Sequence, residues 1–348
     1  MRVILALFCS ISSLWAAQAI KDGFVNEYDK DGRLVRIVEY KLGVPNGLFR
    51  TFYPDGRISG TGKFLNGVMD DVALGFWPDG TMKIKSFYTD GRLHGTSTLY
   101  YNNGRVQAEV EYIKGMQDGP TREYNEQGHL KWERHFKAGK EVGTTKEFDA
   151  STAALYREHE FNTEGKQTGF IREYWGNGKL KGTYTAIDGI RQGPAKEFYQ
   201  TGKISKQGSF INDEWDGEVV SFYENGQKLS VVRYKNGKKN DPAWQQFYET
   251  GELKSQVKVV DDLKQGVGKE FFTNKKVKTV GEFKDNKRQG IFKEFDEDGK
   301  KVAEFEFKDD VIRYQREYAP DGRVTNELIF YHPPKESTST KNISSPGR

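Results

Sequence analysis

At 348 residues, with hydrophobic residues at only 35% and aromatics at 14%, the chain must rely on Tyr, Phe and Trp for burial, a profile that suits a thin structure. Its 54 basic and 50 acidic residues leave a net charge of +4 and are interleaved along the chain, which excludes a strong steering field toward nucleic acid.

The first stretch, Met1 to Ala19, sets Arg2 before an apolar run from Val3 to Trp15 and ends on Ala17-Gln18-Ala19, the layout of a secretory signal with a small-residue cleavage site. That run is too short to span a bilayer comfortably, and no later run approaches the length a spanning helix needs. Residues 1–19 are therefore predicted to be a signal peptide, and the protein to be exported to the periplasm, the cell envelope or the medium. The single cysteine, Cys9, lies inside this leader behind Phe8, which is too bulky for a lipoprotein processing site. Cleavage would leave no thiol, so disulfide staples are excluded and a structural zinc site nearly so.

From there a unit of about 24 residues recurs almost to the end. A turn glycine marks it at Gly32, Gly56, Gly80, Gly104 and Gly128, and again at Gly178, Gly202, Gly226, Gly251, Gly299 and Gly322. Thr152 and Lys275 stand in the equivalent places of two further copies, which makes thirteen. Each copy reads as a β-hairpin. Its first turn is typified by Pro54-Asp55-Gly56, and its second by Asn66-Gly67, with one more glycine, such as Gly47 or Gly119, usually closing the unit. Such a period predicts one all-β domain over 24–331, an elongated, twisted antiparallel sheet of about thirteen stacked hairpins. The tail 332–348, rich in Ser, Thr, Lys and Pro, is expected to be disordered, and Asn342-Ile343-Ser344 is a glycosylation sequon by pattern only.

Three columns of side chains recur in register. The residue four before each turn position is always aromatic (Phe52, Phe76, Phe222), the second after it is mostly apolar (Ile58, Met82, Ile204), and the eighth is mostly aromatic (Phe64, Tyr88, Phe210). Strict alternation along a strand would put all three on one side, where they would hold the stack. A further aromatic column follows the first at once: Tyr53, Trp77, Tyr101, Trp175, Tyr199, Tyr223, Tyr248 and Phe272. By the same alternation it points to the other, charged side. Trp77, Tyr101, Trp175, Tyr199, Tyr223 and Tyr248 are accordingly expected to form a recognition stripe for a partner.

The unit, laid out as aromatic-Tyr-x-Asp-Gly, an apolar strand, then Asn-Gly-x-x-x-Gly, resembles the MORN repeat in the variant common in bacterial proteins. The run from Tyr223-Glu224-Asn225-Gly226 to Tyr234-Lys235-Asn236-Gly237 is a representative copy, and the resemblance covers about Phe24 to Tyr331. It implies a MORN-like solenoid of stacked hairpins. It also implies roles in scaffolding, partner binding, self-association and, in some members, lipid contact, and some bacterial relatives are labelled antitoxins. It supplies no catalytic residue.

Catalytic signals are missing from the residues themselves. The five histidines, His94, His129, His135, His159 and His332, show no ligand spacing and read as solvated strand residues. Glu27 to Gly32 imitates the start of a calcium loop, but its twelfth position is Val38 where a bidentate Glu is needed. No phosphate-cradling loop precedes a helix, because no helix is indicated. The expected function is that of an exported, non-enzymatic scaffold without cofactor or metal, binding a protein partner or itself. The alternatives are an envelope-glycan module using the aromatic ladder and an antitoxin or immunity-type neutraliser of a partner protein. Peripheral contact with lipid headgroups is open to the basic stretch from Lys264 to Lys293, although Glu270, Glu282 and Asp285 interrupt it.

Overall fold

The computed structural model describes residues 22–330. The signal peptide expected over 1–19, with Cys9, and the tail from His332, expected to be disordered, with its Asn342 sequon, lie outside the described residues. Among the described residues there is no helix and there are 29 strands. Three of these are two-residue fragments, Arg92–Leu93, Lys140–Glu141 and Lys238–Lys239, each one residue ahead of the next strand. The remaining 26 are the paired strands of thirteen hairpins, as the period predicts. The fold is all-β and antiparallel. The chain forms two compact units, one ending at Gly169 and the other beginning at Phe170. Within each, strands pair with their neighbours in the chain, so neither unit closes on itself.

Turn chemistry sets the register. In the first turn, Gly56 N–H donates to the Tyr53 carbonyl at 2.9 Å and Tyr53 N–H to the Arg57 carbonyl at 2.8 Å. This is a three-residue loop with its glycine in the left-handed region, φ +83°. The second turn holds two consecutive left-handed residues, Asn66 at +49° and Gly67 at +87°, which is the two-residue turn whose twist matches a hairpin. Where the first-turn glycine is missing, another residue takes the conformation. Ala153 does so at +56°, beside an Asp149 carboxylate that accepts from the backbone and hydroxyl groups of both Ser151 and Thr152, and Lys275 does so at +69°.

Two bulges per repeat decide which way side chains point. The first falls at glycines such as Gly47, whose φ of +131° is open essentially to glycine alone, and where the incoming register slips between Val38 and Tyr40. The second precedes the first-column aromatic: Thr51 lies opposite Gly60, yet Phe52 lies opposite Ile58, leaving Ser59 extra. The Ser59 hydroxyl donates to Thr51 Oγ1 at 2.9 Å, so Ser59 shares the Thr51 side while Phe52 and Ile58 take the other. The same slip recurs before Phe76, Phe198, Phe222, Phe271 and Phe295.

The single-sided reading of the three columns is therefore corrected. The first column and the second-position column share one side, while the eighth-position column lies on the opposite side together with the second aromatic column. Two shallow concavities in the second unit display the split. Val277, Val280 and Phe295 line one with Lys269 and Lys276, and Val257, Gly268, Phe283 and Phe292 line the other. Burial follows the same division: Phe64, Tyr112, Phe210 and Phe307 of the eighth-position column are buried, whereas every described first-column aromatic is half-buried or exposed.

On this buried side the first unit carries two clusters, Val38-Phe49-Phe64 and Leu93-Ala108-Val110-Tyr112. The second unit carries Tyr184-Ala195-Phe210, flanked by Ile171 and Trp215, and an edge-to-face series Phe283-Phe292-Phe307 with centroids 5.4 and 5.2 Å apart. Glycines inside strands make room for these rings. A Cβ on Gly281 would lie 2.3 to 2.4 Å from Phe292 ring atoms, and one on Gly62 would lie 2.5 Å from the Phe49 ring. Both glycines have ordinary strand backbone, so the ring seat, not the torsion, is what excludes a side chain there.

Candidate partner-binding surface

The second aromatic column begins where the bulged strand re-enters the first turn, and its polar tips all do one thing. Each donates to the backbone carbonyl of the first-column residue in the next repeat. In the first unit the Tyr53 hydroxyl reaches Phe76 O at 2.7 Å, Trp77 Nε1 reaches Tyr100 O at 3.3 Å and the Tyr101 hydroxyl reaches Tyr124 O at 2.8 Å. In the second unit Trp175 Nε1 reaches Phe198 O at 3.1 Å, and the hydroxyls of Tyr199, Tyr223 and Tyr248 reach Phe222 O, Phe247 O and Phe271 O at 2.6, 2.9 and 2.8 Å. Burial pushes the Tyr101 phenol above its ordinary pKa, with Glu126 and Glu123 adding to the effect, so the donor keeps its proton. Lysines cover several of these rings: Lys83 Nζ lies 4.5 Å from the Trp77 centroid and Lys181 Nζ 5.2 Å from that of Trp175.

All six residues expected to form a recognition stripe, Trp77, Tyr101, Trp175, Tyr199, Tyr223 and Tyr248, are thus half-buried rungs between successive repeats on the side that holds the core. They do not stand out on a charged face. The bulge at residues such as Ser59 is the reason, since it reverses the alternation that placed them there.

Turn residues add a parallel set of ties. Asn225 Oδ1 accepts from Gln227 N–H at 2.9 Å while its Nδ2 donates to Glu249 O of the next turn at 2.8 Å, and Asn103 and Asn274 repeat the arrangement. An Asp can supply only the first of those bonds. At the opposite edge, the last residue of the second turn donates its N–H back one repeat, Gly67 to Pro45 O at 2.8 Å and Asn286 to Lys264 O at 3.1 Å. Two arginines strengthen that edge in the second unit. Arg191 stacks 4.2 Å from the Phe210 centroid and holds Asp213 at 3.0 Å, and Arg288 does the same to Phe307 at 4.0 Å and Asp310 at 3.0 Å. Both aspartates are held below the ordinary carboxylate range, first by the arginine backbone N–H and then by its guanidinium.

Aliphatic pairs stand outward beside some of the second turns, while Thr89 with Arg92, Lys137 with Lys140, Lys235 with Lys238 and Lys284 with Lys287 hold the same place at others. Cross-strand pairs Leu65 with Val68 and Ile113 with Met116 in the first unit, and Ile187 with Ile190 in the second, are each between 43% and 58% exposed. These pairs are legible in the sequence as apolar residues on both flanks of a two-residue turn.

A buried carboxylate also lies on the core side of the first unit. Glu147 is buried and accepts from the Tyr156 hydroxyl, its second oxygen contacts His159 Nε2, and the Gln167 amide lies 2.7 Å from His159 Nδ1. His159 is therefore not the solvated strand residue its spacing suggested. The extended repeat around Thr152 places it opposite Thr145, on the row that Val110 and Thr121 occupy in the preceding repeat. Among the described residues no group of three or more His, Cys, Asp or Glu side chains could hold a metal ion, and no helix is long and apolar enough to cross a membrane.

The family described as MORN repeat variant matches residues 93–114, 191–212, 215–236 and 288–309. Each match opens within two residues of the start of a strand that leads into a first turn and closes at the following second turn. At these four places the chain carries MORN-variant repeats. Most of the other repeats keep the same two turns and the same pre-aromatic bulge, and several carry the same rungs, so the register extends beyond the matched segments. No curated protein matches the chain. Among solved structures it is similar to the crystal structure of TcdB2-TccC3 without hypervariable C-terminal region, at 11% identity and a TM-score of 0.19, over 88% of this chain and 18% of that one. It is also similar to TcdB2-TccC3-Cdc42, at 11% and 0.16, and to a Photorhabdus luminescens Tc holotoxin pore, at 12% and 0.14, with the same coverages. The chain spans less than a fifth of the length of those chains, and nothing about its function rests on them.

Proposed function

We propose that this protein is an exported, non-enzymatic scaffold that binds a protein partner through exposed aliphatic pairs, a ridge beside some of the second turns of each unit. The exposed cross-strand pairs, Leu65 with Val68 and Ile113 with Met116 in the first unit and Ile187 with Ile190 in the second, support this reading, since hairpin stacking does not call for exposed aliphatics there and other repeats put lysines in the same place. The aromatic rungs keep a part in it by holding the ridge in register. Within the first unit a partner can engage both pairs at once, so a single substitution there weakens binding little and substitution of both pairs much more.

A photo-crosslinking residue at Ile113 or Ile187, with Arg57 at a first turn as the control, tests the ridge in the native envelope. Protein adducts at the first two positions and none at the third are expected. Adducts at all three, or only at Arg57, would remove the ridge as the site. Saturable binding to solubilised cell-wall fragments, without protein adducts, would replace the scaffold by the glycan module.

A further inference from the structure

The side that bears the first aromatic column is mostly mixed in charge, but one place in the second unit departs from the rest. Val280 lies between Lys269 on one neighbouring strand and Lys293 on the other, both directly opposite it. Lys269, Lys275 and Lys276 line a shallow concavity there whose floor is Val277, Val280 and Phe295. Lys276 Nζ lies 3.9 Å from the highly exposed Asp298, and Glu304, opposite Lys293, is taken by Lys301 at 3.1 Å. Among the described residues Lys269, Lys275 and Lys293 have no ion-pair partner, although the charge of Lys275 helps Thr250 hold the Glu252 carboxyl below its ordinary range.

A second observation concerns the backbone. Eleven of the thirteen first turns use glycine in the left-handed conformation, and this turn uses Lys275 at φ +69°. A lysine there is strained relative to glycine, and its exposed side chain makes no ion pair, its one electrostatic effect on the fold being that on Glu252. What the lysine offers that glycine cannot is its charge.

Resting on the protein-binding reading, we infer that this concavity docks an acidic, extended peptide segment of a protein partner, with carboxylates on the lysines and an apolar side chain over Val280. A bilayer fits the face less well. The exposed aliphatics beside the lysine row, Val267 and Ile291, stand directly opposite Glu282 and Glu306. A flat anionic membrane would have to meet those carboxylates, whereas a single peptide strand lying along the lysines need not.

The test uses the full chain and a fluorescein-labelled peptide of repeating Glu-Glu-Leu, followed by anisotropy at rising salt. Saturable binding that weakens with salt is expected. The double variant Lys269→Glu, Lys293→Glu should weaken it roughly tenfold, while Lys146→Glu in the first unit, a control for net charge, should leave it unchanged. Lys275→Gly should weaken binding about two- to fivefold and at the same time raise the unfolding temperature, because the strain is relieved. No saturable binding by the wild type, or affinities that ignore the lysine substitutions, would overturn the inference. So would lysine-dependent binding to phosphatidylserine vesicles without peptide binding, which would make the face a lipid surface. Crosslinks at Ile113 and Ile187 do not involve these lysines. If they persist while the peptide fails, only this inference falls; if both fail, the protein-binding reading falls with it.

Discussion

The Tyr199 hydroxyl donates to the backbone carbonyl of Phe222 at 2.6 Å, across the step from one hairpin to the next. Phe222 and Tyr223 are neighbours in the chain and point to opposite sides, so the residue whose carbonyl is held and the residue that reaches onward form one continuous relay. Tyr223 passes it to Phe247 and Tyr248 to Phe271. The rungs thus tie each outgoing hairpin to the one before it at the very place where the bulge has interrupted the ladder.

Removing only the oxygen isolates that tie. Tyr199→Phe and Tyr223→Phe should each lower stability by about 1 kcal/mol in chemical denaturation, the usual net worth of a part-buried hydrogen bond. The double variant should lose about the sum, because the two acceptors belong to different steps.

Glycines outside the left-handed region, Gly281 in a strand and Gly176 in a first turn, should tolerate substitution according to what sits beside them. Gly281→Ala puts a methyl against the Phe292 ring and should cost about 1 to 3 kcal/mol. Gly176→Ala meets nothing within 4 Å at an unstrained backbone position and should change the unfolding midpoint little. Phe292→Leu in the Gly281→Ala background should recover part of the loss, and a double-mutant cycle measures it.

The hairpins, both turns and the repeat count were all legible in the sequence, because glycine positions and turn residues report backbone torsion directly. The sidedness of the aromatics was not. A bulge such as Ser59 adds one residue without any composition signal, and one residue is enough to reverse a period of two. Glycine seats such as Gly62 were hidden for a different reason: a turn glycine and a seat glycine look alike until the ring above is seen. The placement of His159 against Glu147 depended on the longer turn around Thr152, whose extra residues fix which strand position the imidazole occupies.

Thr121 should be improved by losing its hydroxyl. Its Oγ1 is buried and, among the described residues, without a hydrogen-bond partner, as is that of Ser97. Thr121→Val keeps the shape and removes the desolvated oxygen, so the unfolding midpoint should stay level or rise. A loss above about 1 kcal/mol would reveal a bound water or a partner at that hydroxyl.

Acid should loosen the second-turn edge of the second unit first. The folded pKa values of Asp213 and Asp310 are depressed, so their contribution is present above the ordinary aspartate pKa and is lost as pH falls through the depressed folded values. Hydrogen exchange at the Arg191 and Arg288 amides, which donate to those carboxylates at 2.9 Å, should accelerate relative to the acid trend of other strand amides. Asp213→Asn should flatten that dependence at Arg191 and leave Arg288 unaffected.

Side-by-side denaturation of Phe222→Ala and Tyr223→Ala separates the two arrangements of the aromatic columns. With Tyr223 as a rung on the buried side, Tyr223→Ala should cost about 3 kcal/mol and at least as much as Phe222→Ala. A large loss for Phe222→Ala beside a negligible one for Tyr223→Ala would contradict the reversed faces and return the second column to the role of a free recognition stripe.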